Sequence, residues 1–203
     1  MRTPRPTLIT RTDQLSALAS PVRQEIVDVL SRMGASALVD IAGVLGRPAD
    51  RLYYHVRVLL GVGILVPAGS RNRAGREEAL FRTAAPELAL RYAPSSHGQD
   101  RAVVAIIASM MRLGIRDFRR AFASGGARVE GPRRELWALR TTGWLTPSGV
   151  AGLNRQIHGI KRALSGPRAK GRLYGITILL TPLEHRPRKS LGRPARPRRR
   201  QST

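Results

Sequence analysis

The apolar and polar positions between residues 37 and 66 follow a helical pattern that ends at a strand. On a helix turning by about 100° per residue, Leu52, Val56 and Leu59 fall on one side together with His55. The remaining surface and its flanks carry polar, charged and aromatic residues: Arg47, Asp50, Arg51, Tyr53, Tyr54 and Arg57. A core can hold the first side, while the second offers guanidinium and phenol groups to a partner. The pattern is typical of a helix that lies in a DNA groove.

The surrounding pattern predicts three helices and a hairpin between residues 13 and 84. Ser20-Pro21 marks the start of the first long helix and Gly34 its end. A second helix ends at Gly46, and the third, the candidate recognition helix, spans residues 48–60. Residues 64–67 and 78–83 predict two strands, and the loop between them, residues 68–76, holds three cations: Arg71, Arg73 and Arg76. We therefore predict a winged helix-turn-helix domain over 13–84, preceded by a flexible arm over 1–12. The three arginines are its expected phosphate contacts, and a solvated hairpin tip is the alternative.

A linker and a long helix are expected after residue 84. Residues 85–99 contain proline and serine and predict a linker with at most one short helix, over Glu87–Tyr92. Asp100 begins an amphipathic helix that ends near Ala123. Its broad apolar face either pairs with the same helix of a second subunit, which we favour, or packs inside its own chain.

The pattern further along the chain predicts a small α+β unit. Residues 136–142 and 172–181 have the composition of strands, and Thr146 begins another amphipathic helix. The order helix, strand, helix, strand indicates a small α+β unit, so the fold class is α+β throughout. Because we favour pairing of its long helix, we predict that 100–183 is a dimerisation domain, with a possible but unidentified small-molecule effector. Residues 184–203 are basic and proline-rich and predict a disordered tail, which either attracts phosphate or only adds solubility.

Composition limits the possible partners. The 203 residues include 36 Lys+Arg against 13 Asp+Glu, a net charge of +23, which favours polyanions such as nucleic acid or an anionic membrane surface. Nearly all the cations are arginine, which suits bidentate contacts but equally reflects a GC-rich coding sequence. No apolar run is long enough to span a bilayer, and residues 1–11 lack the apolar stretch of a signal peptide. We expect a soluble intracellular protein.

The chemistry of an enzyme or a metal site is missing from the sequence. The absence of cysteine excludes disulfides and thiolate metal sites. The four histidines are widely separated, and no nucleophilic set or phosphate-cradling glycine loop is evident. We expect neither a cofactor nor enzymatic activity. His55 is expected to pack inside the domain, and Arg23 either pairs with Glu25, Asp28 or a helix terminus, or contacts phosphate.

Several of these segments together resemble the ArsR-type winged-helix transcription regulators. The resemblance rests on residues 16–26, 40–46, 52–56, Leu59 and 63–65, and covers Asp13 to about Thr83. It is strongest for the subgroup with a Tyr-Tyr-His recognition helix and no metal site, since metal-sensing members use cysteines. The resemblance implies a dimeric bacterial repressor or activator that binds an inverted repeat in the nucleoid. Arg47-Pro48 departs from the family, where a small hydroxyl residue is common.

Two functions remain as hypotheses. The first is a dimeric, sequence-specific DNA-binding regulator, with helix 48–60 in the major groove and the loop 68–76 on the backbone. The alternative is a non-specific architectural protein that coats nucleic acid because of its charge. The expected DNA-binding residues in the first case are Arg47, Asp50, Arg51, Tyr53, Tyr54, Arg57, Arg71, Arg73 and Arg76.

Overall fold

The computed structural model describes residues 7–90, 97–165 and 172–183. In these ranges the chain forms six helices and two small sheets, a mixed α and β architecture that agrees with the predicted α+β class. Half of the predicted arm (residues 1–6), part of the predicted linker (91–96) and the whole predicted basic tail (184–203) lie outside the described residues.

Helices α1 (Thr12–Leu18), α2 (Pro21–Met33), α3 (Leu38–Leu45) and α4 (Ala49–Gly61) surround the main core. The predicted start of α2 at Ser20-Pro21 and its end at Gly34 are confirmed, and Gly34 has a positive φ of 74°. The side chains that fill the centre are fully buried: Leu15, Ile26, Leu30, Ile41, Leu52 and Leu59. They recur at helical spacing, which is why the apolar pattern located these helices.

Three strands complete this part of the chain: β2 (Ser36–Ala37), β3 (Leu65–Arg73) and β4 (Arg76–Thr83), in the antiparallel order β2-β4-β3. The hairpin is longer than predicted, because residues 68–73 belong to β3 and only Ala74 and Gly75 form the connection. Both have positive φ, 49° and 79°, as a two-residue hairpin turn requires. The predicted loop over 68–76 was therefore wrong in its extent.

A second sheet corrects the ends of this region. Strand β1 (Thr7–Ile9) pairs in parallel with β5 (Leu88–Leu90), so residues 7–9 are not a flexible arm and the short helix over Glu87–Tyr92 was wrong. Ile9 is buried, and Leu88 and Leu90 pack against the core. Pairing with β1, together with the packing of Leu88 and Leu90 against the core, outweighs the weak helical tendency of so short a segment.

Helix α5 (His97–Ala123) lies across α1 and α2. It begins three residues before Asp100 and buries Val103, Ile106 and Leu113. The buried Gln24 ties α5 to the core, since its Nε2 donates to the carbonyls of Leu18 (2.6 Å) and Ile106 (3.3 Å). One face of α5 therefore packs inside its own chain.

The region after α5 differs most from prediction. Helix α6 (Pro147–Leu164) is confirmed, and the Thr146 hydroxyl accepts its N-terminal hydrogen bond from the Gly149 amide (3.1 Å). The strands predicted over 136–142 and 172–181 were wrong, because neither segment pairs with another described strand. Alternating and β-branched residues favour an extended chain, but a strand also needs hydrogen-bonding partners along its edge.

Candidate nucleic-acid interface

Helix α4 is anchored on one side and open on the other. Leu52, Val56 and Leu59 are buried in the core, as the pattern predicted. The opposite surface, which we call the α4 outer face, consists of exposed residues: Asp50, Arg51, Tyr53, Tyr54 and Arg57. Tyr53 and Tyr54 are 58% and 66% exposed, which is unusual for large aromatic side chains without a partner. Five of the nine predicted DNA-binding residues therefore lie together on one accessible surface.

The cations of the α4 outer face are free of ion pairs within the part of the chain that the structure describes. Among the residues that the structure describes, no ion pair involves Arg51 or Arg57. The guanidinium of Arg57 lies 5.9 Å from the centre of the Tyr53 ring, a cation–π contact that leaves its N–H groups available. Both guanidinium groups can therefore donate to phosphate oxygens or base edges.

Arg47 occupies a different environment from the other predicted residues. Its Nη2 lies 2.9 Å from a carboxylate oxygen of Glu25 on α2, and its side chain is only 30% exposed. The second oxygen of the same carboxylate lies 2.6 Å from Nη2 of Arg116 on α5. Glu25 thus joins α2, the start of α4 and α5 through one carboxylate, which is about 10% exposed. Arg47 holds α4 in place, so its guanidinium is already engaged.

Sequence reasoning missed this role of Glu25. Arg116 is 91 residues away from it, and no spacing rule links two positions so far apart. The only available signal was that an acidic residue falls within the buried surface of α2. A buried carboxylate needs a partner.

The arginines of the hairpin also divide into two groups. Arg71 is paired with both Asp40 of α3 (2.8 Å) and Glu78 of β4 (2.7 Å). The Arg71 guanidinium holds the pKa of Asp40 below its ordinary value, and the Ala37 amide, which donates to the same carboxylate, lowers it further. Arg71 therefore fastens the hairpin to α3.

Arg73 and Arg76 are the accessible cations of the hairpin. Both are exposed at the end of the β3–β4 pair, where they face each other across the turn. Arg73 approaches Asp40 only at 3.6 Å and is 62% exposed, and no ion pair involves Arg76 among the described residues. These two side chains can contact an anion without breaking a strong internal pair.

A groove of about 470 Å³ lies beside the α4 outer face, between α3, α4 and β4. Its floor is apolar and includes Leu38, Val56 and Phe81, while Tyr53 and Arg57 form part of its rim. This groove could not be predicted from the sequence, because its lining comes from elements that meet only in the fold.

His55 and Arg23 have structural surroundings. His55 is half-buried, and its Nδ1 has no hydrogen-bonding partner among the described residues. Burial lowers the pKa of His55, and the positive charges of Arg23 and Arg47 lower it further, so the imidazole is held neutral. Arg23 donates to the carbonyls of Ala17 and Ser16 at the end of α1, so the helix-terminus alternative is the one observed.

The described residues contain neither a cluster of metal-ligating side chains nor a helix suited to spanning a membrane. No group of three or more His, Asp or Glu side chains within them lies close enough to hold a metal ion. None of their helices combines the length and the apolar character needed to cross a membrane.

Comparisons with known proteins do not assign this chain to a family. No family model matches the chain, and no curated protein matches it. Among solved structures, the crystal structure of RV1404 from Mycobacterium tuberculosis aligns with 77% of this chain and 86% of its own at 17% sequence identity. The TM-score of that alignment is 0.29, which carries no argument about fold or function. The case for a function therefore rests on the geometry of this chain.

Proposed function

We propose that this protein is a sequence-specific DNA-binding transcription regulator of the ArsR type without metal-site cysteines. Residues 13–84 would act as a winged helix-turn-helix domain, with α4 in the major groove and the β3–β4 turn on the flanking backbone. The observation that carries the proposal is the α4 outer face, a set of exposed side chains on a helix whose other side is buried; its two arginines form no ion pair with any described residue. A rigid helix with one free polar face is the arrangement that groove recognition requires.

The chemistry of the α4 outer face suits base recognition. Arg51 and Arg57 can each donate two parallel hydrogen bonds to the O6 and N7 atoms of guanine. Asp50 can accept from the amino group of cytosine, and Tyr54 can pack on a thymine methyl group. Acidic and aromatic groups among the arginines favour selective recognition over simple charge attraction. Asp50 repels phosphate, so it contributes to binding only where its carboxylate accepts a hydrogen bond from a base.

The accessible hairpin cations suit backbone contacts. Arg73 and Arg76 lie at the tip of a hairpin that Arg71 fastens to α3, so their distance from α4 is fixed by the fold. Contacts from such a fixed position orient a protein on the duplex without selecting a sequence. We assign this role to Arg73 and Arg76, and a positioning role to Arg47 and Arg71.

Two copies would be needed to bind an inverted repeat, because one domain contacts one half-site. In this arrangement, the C-terminal region sets the spacing of two α4 helices at about 34–36 Å, one turn of DNA.

Selection of binding sites from random DNA with the full-length protein tests the proposal. We expect a recurring inverted repeat, bound at least about 10³-fold more tightly than bulk DNA at physiological salt. Tyr54→Ala should relax this preference at one position of each half-site, whereas Arg140→Ala, which changes an exposed arginine outside the site, should leave it intact. Failure to enrich any sequence would overturn the proposal.

The alternative function is a non-specific coating protein for nucleic acid, which the net charge of +23 favours. Such a protein would bind selected and bulk DNA with a ratio near one, and each exposed arginine would contribute similarly. The same measurement therefore separates the two functions.

A further inference from the structure

The groove beside the α4 outer face has an apolar floor and room for a ligand. Val56, Leu60 and Phe81 line it with side chains that are buried or half-buried. Two other lining residues are small, Ala37 on β2 and Ala79 on β4, so the space between these elements stays open. Its volume of about 470 Å³ falls within the range of about 300–1,000 Å³ in which proteins bind small molecules.

Apolar side chains around the groove are exposed to solvent. Tyr53 on α4 and Val39 on α3 both line it, and they are 58% and 44% exposed. An aromatic ligand would remove part of this surface from water, which is favourable. The rings of Tyr53 and Phe81 add the preference of aromatic groups for one another. The lining therefore favours a flat, apolar occupant.

Within the described part of the chain, the unpaired charge at the groove is positive. Arg57 lines the groove and forms no ion pair with any described residue. Glu78 also lines it, but its carboxylate is held by Arg71 at 2.7 Å. A free guanidinium can donate two parallel hydrogen bonds to a carboxylate. The net charge of +23 also attracts anions, so the charge of the groove complements an acid.

We propose that this groove binds a small aromatic acid, with its rings on the apolar floor and its carboxylate at Arg57, and that the bound acid excludes DNA. Tyr53 and Arg57 belong both to the rim of the groove and to the α4 outer face. A carboxylate at Arg57 occupies the hydrogen-bond donors that a guanine would need. The acid and DNA therefore compete, and each lowers the apparent affinity for the other.

Binding of the acid does not depend on the proposed function, whereas its effect on DNA rests on that function and deepens it. The regulating ligand would act directly on the DNA-binding surface. This location differs from the one expected from the sequence, where residues 100–183 were the candidate effector region.

NMR of the ¹⁵N-labelled full-length protein, titrated with 2-naphthoate, tests the site without DNA. Saturable shifts should appear at the amides of Val39, Tyr53, Arg57, Ala79 and Phe81, with a dissociation constant on the order of 100 µM for a ligand of this size. Shifts confined to other residues, or no saturation up to about 2 mM ligand, would overturn the inference.

Filling the groove tests the apolar floor. Ala79→Trp places an indole in the space and should abolish the saturable shifts. Ala151→Trp adds the same ring at an exposed position on α6, outside the groove, and should bind 2-naphthoate like the wild type. Unchanged binding by a folded Ala79→Trp variant would place the ligand elsewhere and overturn the site.

Removing the charge tests the role of Arg57 at an exposed position, where the fold does not depend on it. Arg57→Met keeps an unbranched apolar side chain and should weaken 2-naphthoate about three- to tenfold. It should leave the affinity for uncharged 2-naphthalenemethanol unchanged. Arg140→Met, which removes the same charge outside the groove, should bind both ligands like the wild type. Equal weakening of both ligands by Arg57→Met would show that Arg57 does not hold the carboxylate.

Fluorescence anisotropy with a labelled duplex that carries a selected site tests the exclusion of DNA. About 1 mM 2-naphthoate should weaken DNA binding about tenfold in the wild type and have no effect in Ala79→Trp. Sodium acetate at the same concentration controls for salt. An unchanged DNA affinity with an occupied groove would refute the exclusion. A failed NMR titration would leave the proposed function intact, whereas a failure to select any DNA site would overturn only the regulatory half of the inference.

Discussion

The carboxylate of Glu25 accepts hydrogen bonds from Arg47 and Arg116, and so connects the start of α4 to α5. Glu25→Gln keeps the shape of the side chain but removes the charge that both arginines face. We expect a loss of about 2 kcal/mol in the free energy of unfolding, because two partly buried guanidinium groups lose a charged partner. Urea denaturation measures this change. The exposed Glu130→Gln serves as the control, and a loss below about 0.5 kcal/mol for Glu25→Gln would contradict the role assigned to it.

His55 makes the stability of the domain depend on pH. The lowered pKa of the folded imidazole means that the unfolded chain binds the proton more readily. The contribution of neutral His55 is therefore complete above about pH 6.5 and decreases as the pH falls toward the folded-state pKa. Between pH 7.5 and 5, the melting temperature of His55→Leu should decrease less than that of the wild type, which thermal unfolding at each pH would measure. Replacement of the exposed His158 by leucine should leave the wild-type dependence unchanged, and an equal effect of both variants would exclude His55 as its source.

At the scale of secondary-structure elements, Arg71 decides whether the β3–β4 hairpin is held against α3. Arg71→Ala breaks its pairs with Asp40 and Glu78 and should cost about 1 kcal/mol in stability, a modest value because the side chains are 21–36% exposed. Faster exchange of β3 and β4 amides would report the loosened hairpin. Arg76→Ala should leave the free energy of unfolding unchanged. It should lower the affinity for all DNA sequences alike, and reduce the slope of log affinity against log salt concentration by about one. The assignments would be wrong if the two variants behaved alike.

These elements also show which parts of the fold and of the candidate site could be predicted from the sequence. Helices α2, α3 and α4 and the β3–β4 pair were predictable, because local apolar spacing and turn residues specify them. The division of the arginines into anchored (Arg47, Arg71) and accessible (Arg51, Arg57, Arg73, Arg76) was not, since it depends on carboxylates distant in sequence. The strands predicted after residue 135 failed for a related reason: composition favours an extended chain but does not say which strand lies beside it.

At the scale of the whole molecule, the positive charge attracts DNA of any sequence and adds to the affinity that specific contacts provide. Residues 184–203 hold eight of the 36 lysines and arginines and one of the acids. Their removal should weaken binding to all DNA sequences by a similar factor and flatten the dependence of affinity on salt. Fluorescence anisotropy with selected and random duplexes at several salt concentrations measures both effects. A changed base preference after truncation would show that the tail takes part in recognition.

The most direct test of the account compares the DNA sites selected by the wild type with those selected by Arg57→Ala. If the α4 outer face recognises bases, the variant should lose preference at one position in each half-site and bind the original site about 1–3 kcal/mol more weakly. Its unfolding free energy should fall by no more than about 0.5–1 kcal/mol, because Arg57 forms no ion pair among the described residues and its cation–π contact is with the exposed ring of Tyr53. A uniform loss of affinity with the same selected sequence would contradict the account, since Arg57 would then contact only the DNA backbone.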